Sequence, residues 1–198
     1  MAGLPFKSAL DACRRCPLWR DATQGVGGEG NAKAPLLIVG EQPGDQEDLQ
    51  GKPFVGPAGR LLHEMLDAAG VGATDCYVTN AVKHFKWEPR GTRRIHKTPA
   101  QKEVDACRYW LDREIADINP DVIVTLGATA LAAVTGKRAG VAASRGQPLR
   151  HASGATIVAT YHPSALLRAP TPDDLARLRE AFADDVARAL RLVSALTS

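Results

Sequence analysis

Leu36-Leu37-Ile38-Val39 runs directly into Gly40-Glu41-Gln42-Pro43-Gly44, and this junction decides the fold class. The four apolar residues predict a strand buried on both faces, as in a parallel sheet. The polar loop lies at the carboxyl end of that strand, which is the edge where open α/β sheets bind ligands. Its two glycines allow the backbone to approach a ligand closely, and Pro43 stiffens the turn. Glu41 is therefore predicted to be a carboxylate held in a rigid frame.

Three further segments repeat this pattern of a short apolar run followed by small or polar residues, at 76–80, 122–127 and 156–164. Helical patterns separate them: an apolar stripe at 61–69, a helix after the capping sequence Thr98-Pro99-Ala100-Gln101, and a last helix that starts at Thr171-Pro172. This alternation predicts a single α/β domain over residues 1–198, with a central, mostly parallel four-stranded sheet flanked by helices in three layers. The loops that end in Glu41, Asn80 and His162 would then share one rim of the sheet.

The overall composition excludes few functions. The chain of 198 residues carries 25 Lys and Arg against 22 Asp and Glu, and the net charge of +3 is too small by itself to indicate a nucleic-acid partner. We find no apolar stretch long enough to cross a membrane and no signal peptide. We therefore expect a cytoplasmic monomer without membrane contact.

Positive charge is concentrated in segment 83–97, KHFKWEPRGTRRIHK, which holds six Lys and Arg and a single acidic residue. Phe85 and Trp87 are interleaved with these charges. Such a segment suits phosphates with a stacked base nearby. A solvated surface loop explains the charge equally well, so both interpretations stay open.

The four cysteines favour a metal site over disulfides, because the chain has no secretion signal. Cys13 and Cys16 form a CxxC pair, which is a weak signal alone, and Cys107 lies in the predicted helix after the basic segment. Cys76 lies on a predicted strand and is interpreted as a small buried hydrophobe. The three remaining thiolates need a fourth ligand, and His84 is a candidate because imidazole can replace thiolate on iron. The alternative is that Cys76 is the fourth ligand and His84 contacts a phosphate or a base.

Four motifs, in their order and spacing, resemble the iron–sulfur uracil-DNA glycosylases called family 4. They are GEQPG at 40–44, GKPFVGPAG at 51–59, Thr79-Asn80, and HPSALLR at 162–168. The resemblance extends from Cys13 to about Arg168, which is nearly the whole chain. It implies the fold of the uracil-DNA glycosylases and uracil-containing DNA as the partner, with single strands preferred.

Three departures from family 4 resemble the UdgX group, whose members excise uracil and become covalently joined to the DNA. Gln42 stands where family 4 usually has Ala, His84 stands in place of a Cys, and Arg93-Arg94-Ile95-His96 is an insertion. The loop of that group typically reads Lys-Arg-Arg-Ile-His, and Thr92 here takes the place of the lysine.

The resemblance implies a structural [4Fe-4S] cluster, whose ligands would be Cys13, Cys16, His84 and Cys107. It also implies a uracil pocket, in which Phe54 stacks on the base and Asn80 pairs with the base edge. An Asn amide supplies both a donor and an acceptor, which matches uracil and mismatches cytosine. Taken singly, Phe54 would be assigned to the core and Asn80 to a turn. The other residues assigned to this pocket are Gly40, Gln42 and Asp45.

The resemblance further implies the chemistry. His162 would donate a hydrogen bond to uracil O2 as negative charge develops there. His96 would attack C1′ of the sugar, while Glu41 accepts a hydrogen bond from the other ring nitrogen. From spacing alone, a phosphate contact would be the simpler role for His96. The resemblance of the RRIH segment to the UdgX group favours the role of nucleophile instead. Ser164 and Arg168 are predicted to hold the flanking phosphates. Arg93 and Arg94 are predicted to pin either the loop that carries His96 or the DNA backbone.

Two other functions stay open. A conventional, multiple-turnover family 4 glycosylase would leave His96 without a chemical role. A non-enzymatic iron–sulfur module that binds single-stranded DNA would not need Glu41, Asn80 and His162 to converge. A nucleotide-binding Rossmann protein is disfavoured, because GEQPG is not GxGxxG and no GxxxxGK[ST] follows any strand.

Overall fold

The computed structural model describes residues 7–72 and 74–197, and eight strands are assigned within that part of the chain. They are β1 (Glu29–Gly30), β2 (Leu36–Gly40), β3 (Cys76–Asn80), β4 (Trp87–Arg90), β5 (Arg93–His96), β6 (Val122–Leu126), β7 (Leu149–Arg150) and β8 (Thr156–Thr160). Six of them form one sheet in the order β1-β3-β2-β6-β8-β7. The four central strands are parallel, and the two-residue edge strands β1 and β7 run antiparallel to their neighbours. The predicted parallel four-stranded centre is confirmed.

Eight α-helices and one 3₁₀ turn (Pro17–Arg20) accompany the strands in the described residues. The helices are α1 (Lys7–Asp11), α2 (Asp45–Gln50), α3 (Pro57–Ala68), α4 (Gln101–Ile118), α5 (Gly127–Thr135), α6 (Val141–Ser144), α7 (Pro163–Leu167) and α8 (Pro172–Thr197).

Helices cover both faces of the sheet, because the central strands are apolar on both sides. On one face, α3 and α8 bury Leu62, Leu66 and Phe182 against Ile38 and Val124. On the other face, α4 and α5 pack their apolar stripes against Leu37 and Ile123. The result is the predicted three-layer α/β arrangement.

The strand register brings the polar loops together. Gly40, the last residue of β2, lies beside Asn80, the last residue of β3. On the other side, Leu126 ends β6 beside Thr160 of β8, so Gly127 and His162 follow at the same edge. Glu41, Asn80, Gly127 and His162 therefore meet at the carboxyl rim, as expected for parallel strands of matched length.

Two local predictions differ from the structure. Helix α4 begins at Gln101 with Ala100 as its N-cap, so the predicted cap at Thr98 is wrong. Ala100 has no side-chain acceptor, and the carboxylate of Glu103 instead accepts a hydrogen bond from the Ala100 N–H at 2.6 Å. The basic segment is not a simple loop either, because β4 and β5 pair as an antiparallel hairpin.

None of the helices in the described part of the chain has the length and apolar character needed to cross a bilayer.

Candidate active site

A cleft of about 770 Å³ opens at the carboxyl rim of the sheet. Parts of six segments line it: the loop after β2, the loop before α3, the end of β3, the end of β5, the start of α5, and α7. The predicted site residues that share this cleft are Glu41, Gln42, Asp45, Phe54, Asn80, His96, His162, Ser164 and Arg168. Arg93 is exposed on the hairpin and is not part of the lining.

Asn80 lies in the inner part of the cleft beside the ring of Phe54. Its side chain is almost fully buried at 4% exposure, yet its amide forms no hydrogen bond with any described residue. Gly40 makes this arrangement possible, because a Cβ at that position would lie 2.4 Å from Asn80 Oδ1 and 2.7 Å from Phe54 Cζ. The amide is therefore free to pair with a planar ligand whose edge offers a complementary donor and acceptor.

Phe54 has a strained backbone. Its φ of 56° is in the left-handed region, which bulky residues rarely occupy. Gly59 in the first turn of α3 closes over it, since a Cβ there would lie 1.9 Å from the Phe54 carbonyl oxygen. The chain thus holds the aromatic ring at the cleft in a conformation that local propensity opposes, which indicates a requirement on its position.

Glu41 connects two elements of the cleft. Its Oε1 lies 3.2 Å from His96 Nε2, and its Oε2 accepts a hydrogen bond from the hydroxyl of Thr129 on α5. Burial alone would raise the pKa of Glu41, but the hydrogen bonds from His96 and Thr129 and the nearby His162 hold the pKa below its ordinary value. Glu41 is therefore a carboxylate at neutral pH, and it orients the His96 ring through one nitrogen. The side chain of His96 remains 48% exposed toward the cleft.

His162 is held as a neutral imidazole with a defined tautomer. Burial lowers its pKa to about 4, although the charge of Glu41 opposes this shift. Nδ1 accepts the backbone N–H of Ser164 at 3.1 Å and lies 2.8 Å from Ser164 Oγ, which in turn accepts from Arg168 at 3.2 Å. Because Nδ1 is an acceptor, the single proton of the neutral ring lies on Nε2. His162 is thus a hydrogen-bond donor across the physiological pH range.

The hairpin that ends in His96 is fixed by Arg94. The Arg94 guanidinium donates to Asp45 Oδ1 at 2.7 Å and to Asp48 Oδ2 at 2.6 Å, both on α2. It also lies 5.5 Å from the ring centroids of Phe85 and Trp87. These contacts favour the loop-pinning role predicted for Arg94 over a contact with the DNA backbone. They likewise give Asp45 a partner other than a base, and its contact with uracil stays a prediction.

Gln42 holds the base of the same hairpin. Its Nε2 donates to the carbonyls of Lys86 (3.2 Å) and Lys97 (3.1 Å), and its Oε1 accepts the Lys86 N–H at 3.0 Å. Lys86 and Lys97 are themselves joined by a backbone hydrogen bond of 3.0 Å. The amide of Gln42 is therefore engaged with the chain, and these bonds support a positioning role rather than the predicted contact with uracil.

Glu47 on α2 was missed by the sequence analysis. It is buried, and its two carboxylate oxygens accept the N–H groups of Gly44 at 3.0 Å and Gly56 at 2.8 Å. This single side chain thereby joins the loop after β2 to the loop before α3. A sequence signal did exist, because an acidic residue three positions after a loop glycine is typical of the first turn of a helix.

Most charges of segment 83–97 are paired with carboxylates of the chain, and its binding of phosphates stays a prediction. Phe85 is buried at 1% exposure and Trp87 donates its indole N–H to the Asp21 carbonyl, so neither ring is a free stacking surface. Arg90 and Arg93 are the exposed cations of this segment for which the described residues supply no carboxylate partner. The other four form the pairs Lys83–Glu114, Lys86–Glu103, Arg94–Asp45/Asp48 and Lys97–Glu88.

Comparison with known proteins identifies this arrangement. Residues 28–186 match the Uracil DNA glycosylase superfamily. The chain belongs to that superfamily. It is similar to the Type-4 uracil-DNA glycosylase of Thermotoga maritima, with 45% identity over 157 residues, 79% of this chain and 78% of the relative. The Type-4 uracil-DNA glycosylase of Archaeoglobus fulgidus is 37% identical over 188 residues, 88% and 84% of the two chains. The Type-5 uracil-DNA glycosylase of Pyrobaculum aerophilum is 28% identical over 177 residues, 81% and 75% of the two chains.

In this uracil-DNA glycosylase superfamily member, three thiols gather on the α4 face of the sheet. Cys13 and Cys16 pack against the buried cluster that contains Cys107. The indole N–H of Trp110 donates to Cys13 Sγ, and the Lys83 N–H donates to Cys107 Sγ, both at 3.2 Å. Such N–H···S contacts are among the features that tune protein-bound iron–sulfur clusters.

His84 directly follows Lys83, whose N–H contacts Cys107 Sγ. It is buried at 3% exposure, and neither ring nitrogen bonds to another described residue. Burial lowers its pKa and so favours the neutral, ligating form, although the charge of Asp11 opposes this shift. Within residues 7–72 and 74–197, no three Cys, His, Asp or Glu side chains converge on a point suited to one metal ion. A four-iron cluster has a different requirement, because each ligand binds its own iron and the ligands lie farther apart.

Cys76 is excluded from this group by the strand geometry. Side chains alternate along β3, so Cys76 and Val78 face α3 and α8, whereas Tyr77 faces α4 and the other cysteines. Burial raises the pKa of Cys76 to about 11. The interpretation of Cys76 as a buried hydrophobe therefore agrees with its position, and the alternative of Cys76 as the fourth ligand does not.

Proposed function

We propose that this protein excises uracil from DNA and then becomes covalently linked, through His96, to C1′ of the abasic deoxyribose. The observation that carries this proposal is the contact between His96 Nε2 and Glu41 Oε1 inside the cleft that also contains Asn80 and His162. A conventional, multiple-turnover glycosylase of the Type-4 kind is the second candidate, and the similarity to the Type-4 relatives favours it.

Recognition of uracil would depend on Asn80 and Phe54. The base must leave the stack to reach Asn80, and a single strand presents it at the lowest cost. The Asn80 amide offers an acceptor for N3–H and a donor for O4, whereas cytosine presents the reverse pattern. Phe54 supplies the stacking face. Leu167 is an exposed apolar side chain on the cleft wall, 52% accessible, and suits the role of a wedge between base steps.

Cleavage would begin at the bond between C1′ and uracil N1. The bonding electrons leave with uracil, so negative charge develops on O2 and positive charge on the sugar. The Nε2–H of His162 is a fixed donor for O2 and needs no protonation step at neutral pH. Ser164, which is hydrogen-bonded to both His162 and Arg168, would hold the adjacent phosphate together with Arg168.

Capture would follow from the ring nitrogen of His96 that Glu41 does not hold. Its lone pair forms the new bond to C1′, and the proton on the other nitrogen stays hydrogen-bonded to Glu41. The carboxylate stabilises the positive charge that the ring gains. A tethered nucleophile competes with water at an effective concentration of about 10⁵ M or more, so capture precedes hydrolysis.

Cys13, Cys16, His84 and Cys107 would hold a [4Fe-4S] cluster, whose contribution is to tie the N-terminal segment to the β3–β4 connection and α4. The residues suit this group, because the thiols receive N–H···S bonds and the His84 ring has no other partner among the described residues.

A single gel experiment tests the function. The protein is incubated with a labelled single strand that contains one uracil, and with the same strand containing thymine, then analysed in SDS with and without alkali. We expect a heat-stable shifted band for the uracil strand alone. Alkali-cleaved product without a shift would support the conventional glycosylase, and neither signal would indicate a binding module.

The cluster ligands can be tested by paired substitutions. We expect His84→Ala to lose iron or thermal stability, because three thiolates leave one iron unprotected, and Cys76→Ala to retain iron. Iron content and the visible absorption of the purified variants measure the effect. Full iron retention in His84→Ala together with loss in Cys76→Ala would assign the ligand role to Cys76.

Replacing Gln42 with Ala should loosen the hairpin without touching the uracil pocket. Three hydrogen bonds to the hairpin base are lost, so His96 is presented to C1′ less often. We expect covalent capture to slow by about tenfold or more, since three bonds at no less than about 0.5 kcal/mol each contribute about 1.5 kcal/mol, while uracil release persists. Single-turnover assays that follow uracil and adduct separately measure this split. Equal loss of both rates would show that Gln42 contributes to the uracil pocket instead.

A further inference from the structure

A second groove, of about 420 Å³, adjoins the cleft. The start of α4, the exposed side of α5 and loop 136–140 form its walls. Thr98, Ala128 and Thr129 line both cavities, so the groove borders the cleft. Its volume lies within the range of about 300–1,000 Å³ that is typical of sites for small organic groups.

The groove has an apolar floor and a basic rim. Pro99 and Val104 are buried beneath it, and Ala132 and Ala139 present only methyl groups. Arg138 stands on the rim, exposed to solvent. An apolar floor with one cation at its edge suits a nucleotide. The flat base would lie on the floor, and the phosphate would meet the cation.

The guanidinium of Arg138 is held in place from one side. Its Nε donates to Gln101 Oε1 at 3.1 Å, and Gln101 Nε2 donates to Asp105 Oδ1 at 2.8 Å. Its two Nη groups form no hydrogen bond with any residue that the structure describes. They form a pre-oriented pair of charged donors, which is the geometry that recognises a phosphate through two parallel bonds.

The groove and α7 lie on opposite sides of the sheet. Helices α4 and α5, which wall the groove, cover one face, whereas α7 packs against α3 and α8 on the other. A DNA strand whose C1′ lies at His96 must leave the cleft in two directions. Ser164 and Arg168 on the α7 side account for one direction, and the groove borders the cleft on the other side.

We propose that the groove holds the nucleotide next to the flipped deoxyuridine on the flank opposite α7, with Arg138 paired to its phosphate. This inference rests on the proposed action on DNA and extends the DNA-binding surface beyond the residues that contact the uracil nucleotide.

The test asks whether the effect of removing the Arg138 side chain depends on the charge of one particular phosphate. Single strands with one uracil are prepared in which each flanking phosphate in turn is replaced by a neutral methylphosphonate. Uracil-release rates at limiting protein and binding affinities are measured for the parent, Arg138→Ala, and the control Arg179→Ala, which removes an exposed charge on α8. Arg168→Ala serves as the reference for the α7 flank.

We expect one methylphosphonate on one flank to slow the parent by about fivefold and to leave Arg138→Ala unaffected, because the partner charge is already gone. Arg138→Ala should also lower the slope of log K against log[salt] by about 0.7, as expected for the loss of one phosphate contact on a single strand. Arg179→Ala should show the parental pattern. Equal responses of the parent and Arg138→Ala at every position, or coupling on the flank that couples to Arg168, would overturn the proposal.

A second variant does not depend on charge. Ala139→Trp fills the groove from an exposed loop position, so folding should be preserved. We expect it to weaken binding of strands that extend over the groove flank and to leave unchanged the binding of strands truncated on that side. An equal effect on both strands contradicts the proposal. Uracil release by the parent from the unmodified strand reports on the proposed function separately, because it involves no variant.

Discussion

Replacing His96 with serine should abolish the proposed covalent link to DNA and leave a protein that releases uracil repeatedly. Serine lacks the ring nitrogen proposed to attack C1′, and water can then enter the space that the exposed ring occupied. The tethered ring competes with water at an effective concentration of about 10⁵ M or more, and this advantage is lost when the ring is removed. We expect no SDS-stable adduct and multiple turnovers of uracil, measured by gel shift and by release of labelled base.

The matched control is His63→Ser, because His63 is an exposed histidine on α3 outside the cleft lining. It should form the adduct at the parental rate. An SDS-resistant complex in His96→Ser would show that another group is the nucleophile.

The second large effect is expected for Glu41→Gln. Glutamine keeps the size of the side chain but supplies only one carbonyl oxygen, so it cannot accept from His96 and Thr129 as both carboxylate oxygens do. It also lacks the charge that stabilises a developing imidazolium. We expect capture to slow by about 10²-fold, as expected for the loss of a carboxylate that orients a reacting histidine. Affinity for uracil-containing DNA should be unchanged or higher, because a negative charge leaves the DNA face.

Thr129→Val provides a graded comparison, since it removes the hydroxyl partner of Glu41 and retains the charge. Its capture rate should fall by less than that of Glu41→Gln, by about tenfold or less. Rates are measured by quenching single-turnover reactions in SDS. Capture at the parental rate in Glu41→Gln would mean that Glu41 only shapes its loop.

The sequence predicted the parallel sheet well, because each central strand is a short β-branched run that is buried on both faces. It failed where pairing depends on distant residues. The partners of Lys83 and Arg94 lie on α4 and α2, so no local pattern could show that these cations are occupied. The β4–β5 hairpin was missed because its strands pair only with each other and carry Pro89 and charged residues instead of an apolar alternation.

The site residues were placed at one rim by the strand pattern, and the resemblance supplied their chemistry. Glu47 and Thr129 were found by neither argument: the local signal of Glu47 indicates only the first turn of a helix, and Thr129 has no distinctive local sequence. Their roles come from hydrogen bonds to loops that meet only in the folded chain.

The two ends of the hairpin are only a backbone hydrogen bond apart, between Lys97 N–H and the Lys86 carbonyl at 3.0 Å. A loop closed in this way can be added to a fold, or removed from it, without moving the strands on either side. His96, the residue proposed to form the link to DNA, lies at the end of this hairpin. Asn80, His162 and Phe54 belong to the sheet and its rim. The proposed covalent capture would thus be a separable trait, added to a scaffold that holds Asn80, His162 and Phe54 independently of the hairpin.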